Sequence, residues 1–212
     1  MDGNNRWSKK NNLDKYTSYK QGANKLIEIT NYIFDNYNIN FISAFALSKH
    51  NFKRGKILIN MIEKLLIDFL NQSKDKKNIN FRIKFVGNLN FLPKTVFDRL
   101  KILENRNIKS KKNLVIFLNY SGKDDIFKTV KIVSKLKRFN SNNFENSLST
   151  AMIPEPDILV RSGGFKRLSD FMLYEVSFTE LFFSDKLWPD IKKTDIKKFI
   201  NQFYKIDRKF GN

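Results

Sequence analysis

Residues 114–125, LVIFLNYSGKDD, carry the reading that decides the fold. The strand read from Leu114 to Tyr120 opens on an unbroken apolar run, Leu114 to Leu118, without the alternation of a half-exposed strand, so it reads as buried on both faces, as in a parallel sheet. Ser121-Gly122 closes it. Asp124 and Asp125 then suit the amino end of a helix, where carboxylates meet the helix dipole, and the helical pattern continues through Ile132 and Leu136. A strand handing over to a helix is the unit from which α/β domains are built.

Working outward, the same unit recurs. Asn40 to Leu47 (NFISAFAL) is a second short apolar run, and the polar stretch Ser48 to Arg54 after it reads as a functional loop at a strand end. Ile57, Leu58, Met61, Ile62, Leu65, Leu66, Phe69 and Leu70 recur at helical spacing. Phe81, Ile83 and Phe85 alternate with Arg82 and Lys84 before Gly87, which is strand spacing, and another helix follows Pro93. Downstream, the Asn/Ser-rich segment from Asn140 to Ser149 reads as a mobile loop. Ile158 to Val160 makes a further strand, ending in Arg161-Ser162-Gly163-Gly164. Helical patterns cover roughly Ser169 to Phe178 and Asp195 to Arg208. The expectation is an α/β fold: one domain over 1–212 with an open, mainly parallel β-sheet surrounded by helices, and ligands beyond the carboxyl ends of the strands.

Composition bounds the function. The chain has 212 residues, 41% of them hydrophobic and 14% aromatic, enough for a packed core. Its formal charge is +19, which suggests a polyanionic partner such as nucleic acid, an anionic membrane or phosphorylated small molecules. Loops crowded with Lys and Asn give that charge a second reading, as solvated surface. Cysteine is absent, which excludes a disulfide framework and thiolate metal sites. No apolar run approaches the ~18 residues a membrane span needs, and the start lacks the apolar core of a signal peptide. A cytoplasmic protein is expected, with peripheral membrane contact left open.

Two strand ends shed polar residues that could meet phosphate. Ser48-Lys49-His50-Asn51 with Arg54 follows the first strand; Arg161, Gly163-Gly164, Arg167 and Ser169 follow the last. Arginine forks, glycines that allow close backbone approach, and a hydroxyl are the ingredients of an anion site. Without other support, such arginines are read as solvated more readily than as ligands.

The support comes from longer blocks. PEPDILVRSGGFKRLSDFMLYEVSFTELFFSDKLWPDI (154–191) resembles the C-terminal signature of the cis-prenyltransferases, the undecaprenyl diphosphate synthase-like family, and MDGNNRWSKK (1–10) resembles its N-terminal motif. FALSKHNFKR (45–54), FVGNL (85–89), NYSGKDDI (119–126) and the closing DRKFGN (207–212) are similar to its intervening and final blocks, in the same order over essentially the whole chain. The resemblance implies an enzyme that condenses isopentenyl diphosphate with an allylic diphosphate, forming a cis double bond at each addition, with Mg²⁺ and a homodimer. An allylic diphosphate must ionise, so such a site needs groups that neutralise the leaving diphosphate.

Carried over residue by residue, the resemblance makes Asp2 a catalytic residue and Mg²⁺ ligand beside the allylic diphosphate. Gly3, Asn4, Asn5, Arg6 and Trp7 become its surroundings. Ser48, Lys49, His50, Asn51, Phe52 and Arg54 form the middle motif, in which Asn51 takes part in removing the proton from isopentenyl diphosphate. Arg161, Arg167, Leu168 and Ser169 match the isopentenyl diphosphate pocket. Glu180 matches a carboxylate that assists Mg²⁺; without the resemblance it reads as an ordinary helix-face acid. Lys15 and Tyr19 fall where the family has a substrate-side Arg and His.

The chain also departs from the pattern. Asn5 stands for a glycine, His50 and Phe52 for Glu and Trp, Leu58 for an acid, Phe165 for the acid after the double glycine, and Asp170 for Asn. His50, the one histidine, lacks a Cys or His partner and so does not suggest a transition-metal site. The apolar face from Ile57 to Leu70 reads as core or as the wall of a product tunnel. In the family an apolar strand runs into the N-terminal motif; here Met1 takes its internal position, so the expectation is either further residues upstream or a sheet one strand short with Asp2 on a mobile end. Two rival readings are a non-catalytic partner subunit of the same family and, from the charge alone, a nucleic-acid-binding protein.

Overall fold

The computed structural model describes residues 1–52, 55–73, 79–137 and 139–210. Its elements begin with α1 (Asn4–Lys10), α2 (Lys15–Asn36), β1 (Phe41–Ser48), α3 (Lys49–Phe52), α4 (Lys56–Ser73), β2 (Arg82–Val86) and α5 (Lys94–Glu104). They continue with β3 (Asn113–Tyr120), α6 (Gly122–Val133), α7 (Ser141–Ser147), β4 (Ile158–Arg161), β5 (Glu180–Phe183), a 3₁₀ turn (Trp188–Asp190) and α8 (Lys193–Phe203). The chain divides into two compact units, one of Met1–Ile39, Pro156–Arg167 and Ser177–Asn212, the other of Asn40–Glu155 and Leu168–Val176.

The second unit is built around the run that opened the sequence reading. β3 lies in the middle of a three-stranded sheet of order β1-β3-β2, and both pairings are parallel, with Phe45 and Val86 each in register with Phe117. Leu114, Val115 and Phe117 are wholly buried because neither face of a central parallel strand meets water. Phe117 packs edge-on against Tyr120 at 4.8 Å and Phe171 at 5.0 Å, within a core that also holds Val86, Val115, Ile153 and Met172. β2 follows the alternation seen in the sequence, with Ile83 and Phe85 buried between half-exposed Arg82 and Lys84. Ser121 caps α6 by accepting from the Asp124 amide at 3.1 Å.

In the first unit β4 and β5 form a parallel pair running from Ile158 beside Glu180 to Arg161 beside Phe183. Ile29 of α2 packs with Ile191, Ile196 and Ile200, and Trp188 joins this cluster while its indole donates to the Gly22 carbonyl at 2.8 Å. α2 begins at Asp14, whose carboxylate accepts from the Thr17 amide at 3.0 Å. All pairings in both sheets are parallel, as expected.

Several expectations are corrected. The segment 140–149 is not a loop: α7 forms there, started by the Asn140 side chain accepting from the Asn143 amide at 2.8 Å, which a count of Asn and Ser does not register. Residues 169–176 are not helical. Ser169, Asp170 and Met172 have φ of 53°, 68° and 45°, and Asp170 bonds to the start of α6: the Gly122 amide donates to the Asp170 carbonyl and the Lys123 amide to its carboxylate, both at 2.9 Å. Glu180 is not on a helix but opens β5. α8 stops at Phe203, and Arg208 lies beyond it, bonded to Asp157 at 2.6 Å and to the Phe178 carbonyl at 2.9 Å. Ile57, Ile132 and Leu136, counted as helix-face apolar residues, are exposed. α2 and β5 were not anticipated.

Candidate active site

In the first unit the predicted residues gather at the carboxyl end of β4. Asp2 is fixed through its main chain: its amide donates to Ser162 Oγ at 3.0 Å, and its carbonyl accepts from Ser162 Oγ at 3.0 Å and from the Trp188 amide at 2.9 Å. The turn after β4 and the Trp188 amide thus hold the Asp2 main chain. The Asp2 carboxylate is bracketed by two guanidiniums, with Oδ2 3.0 Å from Arg161 Nη2 and Oδ1 3.5 Å from Arg6 Nη2. Arg161 also donates to the Arg167 carbonyl. The exposed ring of Phe165 stands among the three, its centroid 4.9 Å from Arg6 Cζ, 5.7 Å from Arg161 Cζ and 4.2 Å from Arg167 Cζ.

Local backbone makes this packing possible. Gly163 has φ 88°, and a Cβ there would sit 2.6 Å from Arg6 Nη2 and 3.2 Å from Asp2 Cβ. α1 carries the rest of the motif. Its Asn4 carbonyl accepts from Ser18 Oγ at 2.5 Å, Trp7 donates to Asp190 at 2.7 Å, and the side-chain oxygens of Asn4 and Asn5 are buried with no donor among the described residues. Gly3 is buried with φ 108°. On α2, Lys15 is exposed and Tyr19 half-buried.

Glu180 stands apart from this group. In the parallel register it pairs with Ile158, three residues before Arg161, so the strand rise separates it by roughly 10 Å from the end that holds Asp2. Among the described residues no three His, Asp or Glu side chains form a ready-made metal cage.

In the second unit the middle motif sits at the carboxyl end of β1. Ser48 Oγ accepts from the Asn51 amide at 3.1 Å and starts the short turn α3, where a loop was expected. Lys49 pairs with Asp124 of α6. His50 Nε2 lies 3.4 Å from Asp170 Oδ2, and the Asp170 side chain is buried while the imidazole is exposed. Phe52 stacks edge-on against Phe91 at 5.0 Å. Ser169 is exposed and Leu168 half-buried on the segment that ends in Asp170. Arg54 lies outside the described residues.

Two carboxylates of this unit, Asp125 and Glu175, are buried. Ser149 donates to Asp125 through both its amide, at 3.1 Å, and its hydroxyl, at 2.7 Å, while Thr150 donates to Glu175. Burial pushes the Glu175 carboxyl above the usual carboxylate range, against the opposing pull of the Thr150 bond. Burial likewise raises the Tyr120 phenol, with the Glu175 and Asp125 charges adding to it.

The family model described as "Putative undecaprenyl diphosphate synthase" matches residues 1–211. The chain belongs to this cis-prenyltransferase family. It is 35% identical to an isoprenyl transferase of Rickettsia typhi over 100% of this chain and 95% of that one. It is 34% identical to a tritrans,polycis-undecaprenyl-diphosphate synthase (geranylgeranyl-diphosphate specific) of Pyrobaculum aerophilum, over 99% and 92%. Among solved structures, a probable undecaprenyl diphosphate synthase of Campylobacter jejuni superposes with a TM-score of 0.79 at 28% identity, covering 91% of this chain and 92% of that one. The fold is also that of lavandulyl diphosphate synthase from Lavandula x intermedia, with a TM-score of 0.89 at 23% identity over 100% and 95%.

Three residues of consequence were not singled out from the sequence as contributors to the site. Ser162 holds both polar groups of the Asp2 main chain, Asp190 anchors Trp7, and Phe165 meets three arginines. Ser162 lies inside the RSGG turn, so its position was a usable signal. The other two contacts join residues more than 150 positions apart in one case and depend on loop geometry in the other.

Proposed function

We propose that this cis-prenyltransferase condenses isopentenyl diphosphate with an allylic diphosphate and so makes a longer polyprenyl diphosphate. The observation that carries the reading is the Asp2 carboxylate held between Arg6 and Arg161 at the carboxyl end of β4, with Arg167 alongside. Arginine forks suit diphosphate oxygens, and the names of the relatives support the same chemistry. In the step itself the allylic carbon–oxygen bond breaks and diphosphate leaves. The double bond of isopentenyl diphosphate supplies the electron pair for the new carbon–carbon bond, and a proton lost from its C2 leaves its electrons in the new double bond.

By their motif positions, Gly3, Asn4 and Arg6 are assigned to the allylic diphosphate, Arg161, Arg167 and Ser169 to isopentenyl diphosphate, and Asn51 to the proton-loss step. Arg54 keeps its assignment from the motif alone. The arginines neutralise charge that grows on the departing diphosphate, and holding both substrates in place supplies much of the rate. The donor set suits Mg²⁺ shared with a substrate, because that ion takes one or two carboxylates together with phosphate oxygens, and Asp2 is such a carboxylate. When bound there, the ion adds charge neutralisation at the diphosphate. A part for Glu180 rests on its motif position.

The match of one family model across both units supports reading 1–212 as one catalytic domain. Exposed Phe127 and Val130, one turn apart on α6, support a homodimer through an apolar face. No described helix is long and apolar enough to cross a membrane. A cytoplasmic enzyme that meets membranes peripherally fits the basic surface and a lipid product. The test is purified protein incubated with farnesyl or geranyl diphosphate, labelled isopentenyl diphosphate and Mg²⁺. Extended cis product is expected from the chain alone, and Asp2→Ala is expected to abolish it. An inactive wild-type chain that becomes active only with a second protein would favour a partner-subunit role.

A further inference from the structure

We propose that Phe165 is the positioning residue that holds Arg6, assigned to the allylic diphosphate, beside Arg161 and Arg167, assigned to isopentenyl diphosphate, and that it does so without neutralising them. All three guanidinium carbons lie within 6 Å of its ring centroid, at 4.9, 5.7 and 4.2 Å, the range in which a cation is drawn to the aromatic face. Three like charges brought this close repel one another, and arginine side chains lose freedom when held. A ring offsets both costs because guanidinium is weakly hydrated and stacks well on an aromatic face. The ring is 41% exposed, so it is not a core residue that happens to touch arginine.

The charge count sharpens the point. Arg6, Arg161 and Arg167 give +3 and Asp2 gives −1, a net +2 in the cluster. A carboxylate at position 165 could hold the same arginines, but the net charge would fall to +1 and a diphosphate would have to displace it. The ring holds the donors in place and adds no negative charge, so the net +2 stays available to a ligand.

This inference rests on the diphosphate reading of the site, and the experiment keeps the two apart. Inorganic pyrophosphate is titrated calorimetrically into the full-length chain at low and at high salt. Phe165→Leu is expected to bind about 10-fold more weakly, and Phe165→Trp within about threefold of wild type. Phe165→Glu should bind more weakly still, with a shallower salt dependence. In turnover, Phe165→Leu should raise the KM for both diphosphate substrates and lower kcat, and Phe165→Trp should restore both, a rescue that general loosening of the fold would not show. Phe165→Met serves as the second aliphatic variant if the first fails to fold. Aliphatic variants that bind pyrophosphate as tightly as wild type overturn the proposal. A wild-type chain that does not bind pyrophosphate removes the diphosphate reading, and the proposal with it.

Discussion

Gly163 and Gly164 offer a controlled perturbation of the Asp2 cluster. Their φ angles are 88° and 81°, so alanine at either position bears a similar left-handed strain of about 1–2 kcal/mol. At this chain length that is a fall in Tm of roughly 2–8 °C. Their surroundings differ. A Cβ on Gly164 meets nothing nearer than Asp185 Oδ1 at 3.5 Å, whereas one on Gly163 falls 2.6 Å from Arg6 Nη2 and 3.3 Å from the Asp2 carbonyl carbon. The Arg6 guanidinium must move by about 1 Å, away from the Asp2 carboxylate, to reach ordinary contact, while the Asp2 main chain, held by Ser162 and Trp188, has to give only slightly. A misplacement of about 1 Å costs on the order of 100-fold in rate, or about 2.7 kcal/mol of transition-state stabilisation. Gly163→Ala is therefore expected to lose about 100-fold in kcat/KM, and Gly164→Ala only a few-fold, with nearly equal falls in Tm. Radiolabelled isopentenyl incorporation and scanning calorimetry on the same preparations measure both. Equal activity losses in the two variants, or Gly163→Ala within threefold of wild type, would refute the reasoning.

Two further outcomes follow from the buried groups. Glu175 has its pKa raised by burial, so the folded state binds its proton more tightly than the unfolded chain; the stability this gives is full at acid pH and is lost as pH rises through the folded value. Glu175→Gln keeps an acceptor for Thr150 without the charge, and calorimetry should show a Tm gain of about 2–4 °C at pH 8 that disappears toward pH 4. A gain independent of pH would contradict the assignment. Phe117→Ala removes a wholly buried ring from the central strand and should cost about 3–5 kcal/mol in urea unfolding; a loss below about 2 kcal/mol would mean that β3 is not the centre of its core.

How much was legible depends on where each element's partners lie. β3 could be read because a strand buried on both faces writes an unbroken apolar run, and β2 because one residue in two is buried. α2, the longest helix, escaped notice for a structural reason. Its buried face runs Ser18, Gly22, Leu26, Ile29 and Phe34, and the first two positions are small because α1 lies against them. A Cβ on Gly22 would stand 2.3 Å from Asn4 Oδ1, and Ser18 bonds to the Asn4 carbonyl. Close helix contact thus erased the apolar signal that would have revealed the helix. The segment 169–176 shows the opposite error: its apolar spacing is helical, but the amides at the start of α6 draw Asp170 into a left-handed turn.

The sequence by itself determined the α/β class, the strand ends that carry polar residues, and the family, because these are written in local hydropathy and in contiguous motifs. Only tertiary structure decided which of those residues meet. It bracketed Asp2 between Arg6 and Arg161, pinned it to Ser162, set Glu180 at the far end of the β4–β5 pair, and placed Phe165 among three arginines. These contacts depend on the register of parallel strands and on left-handed turns after β4. Both are fixed by long-range hydrogen bonds and packing, which a local pattern does not encode.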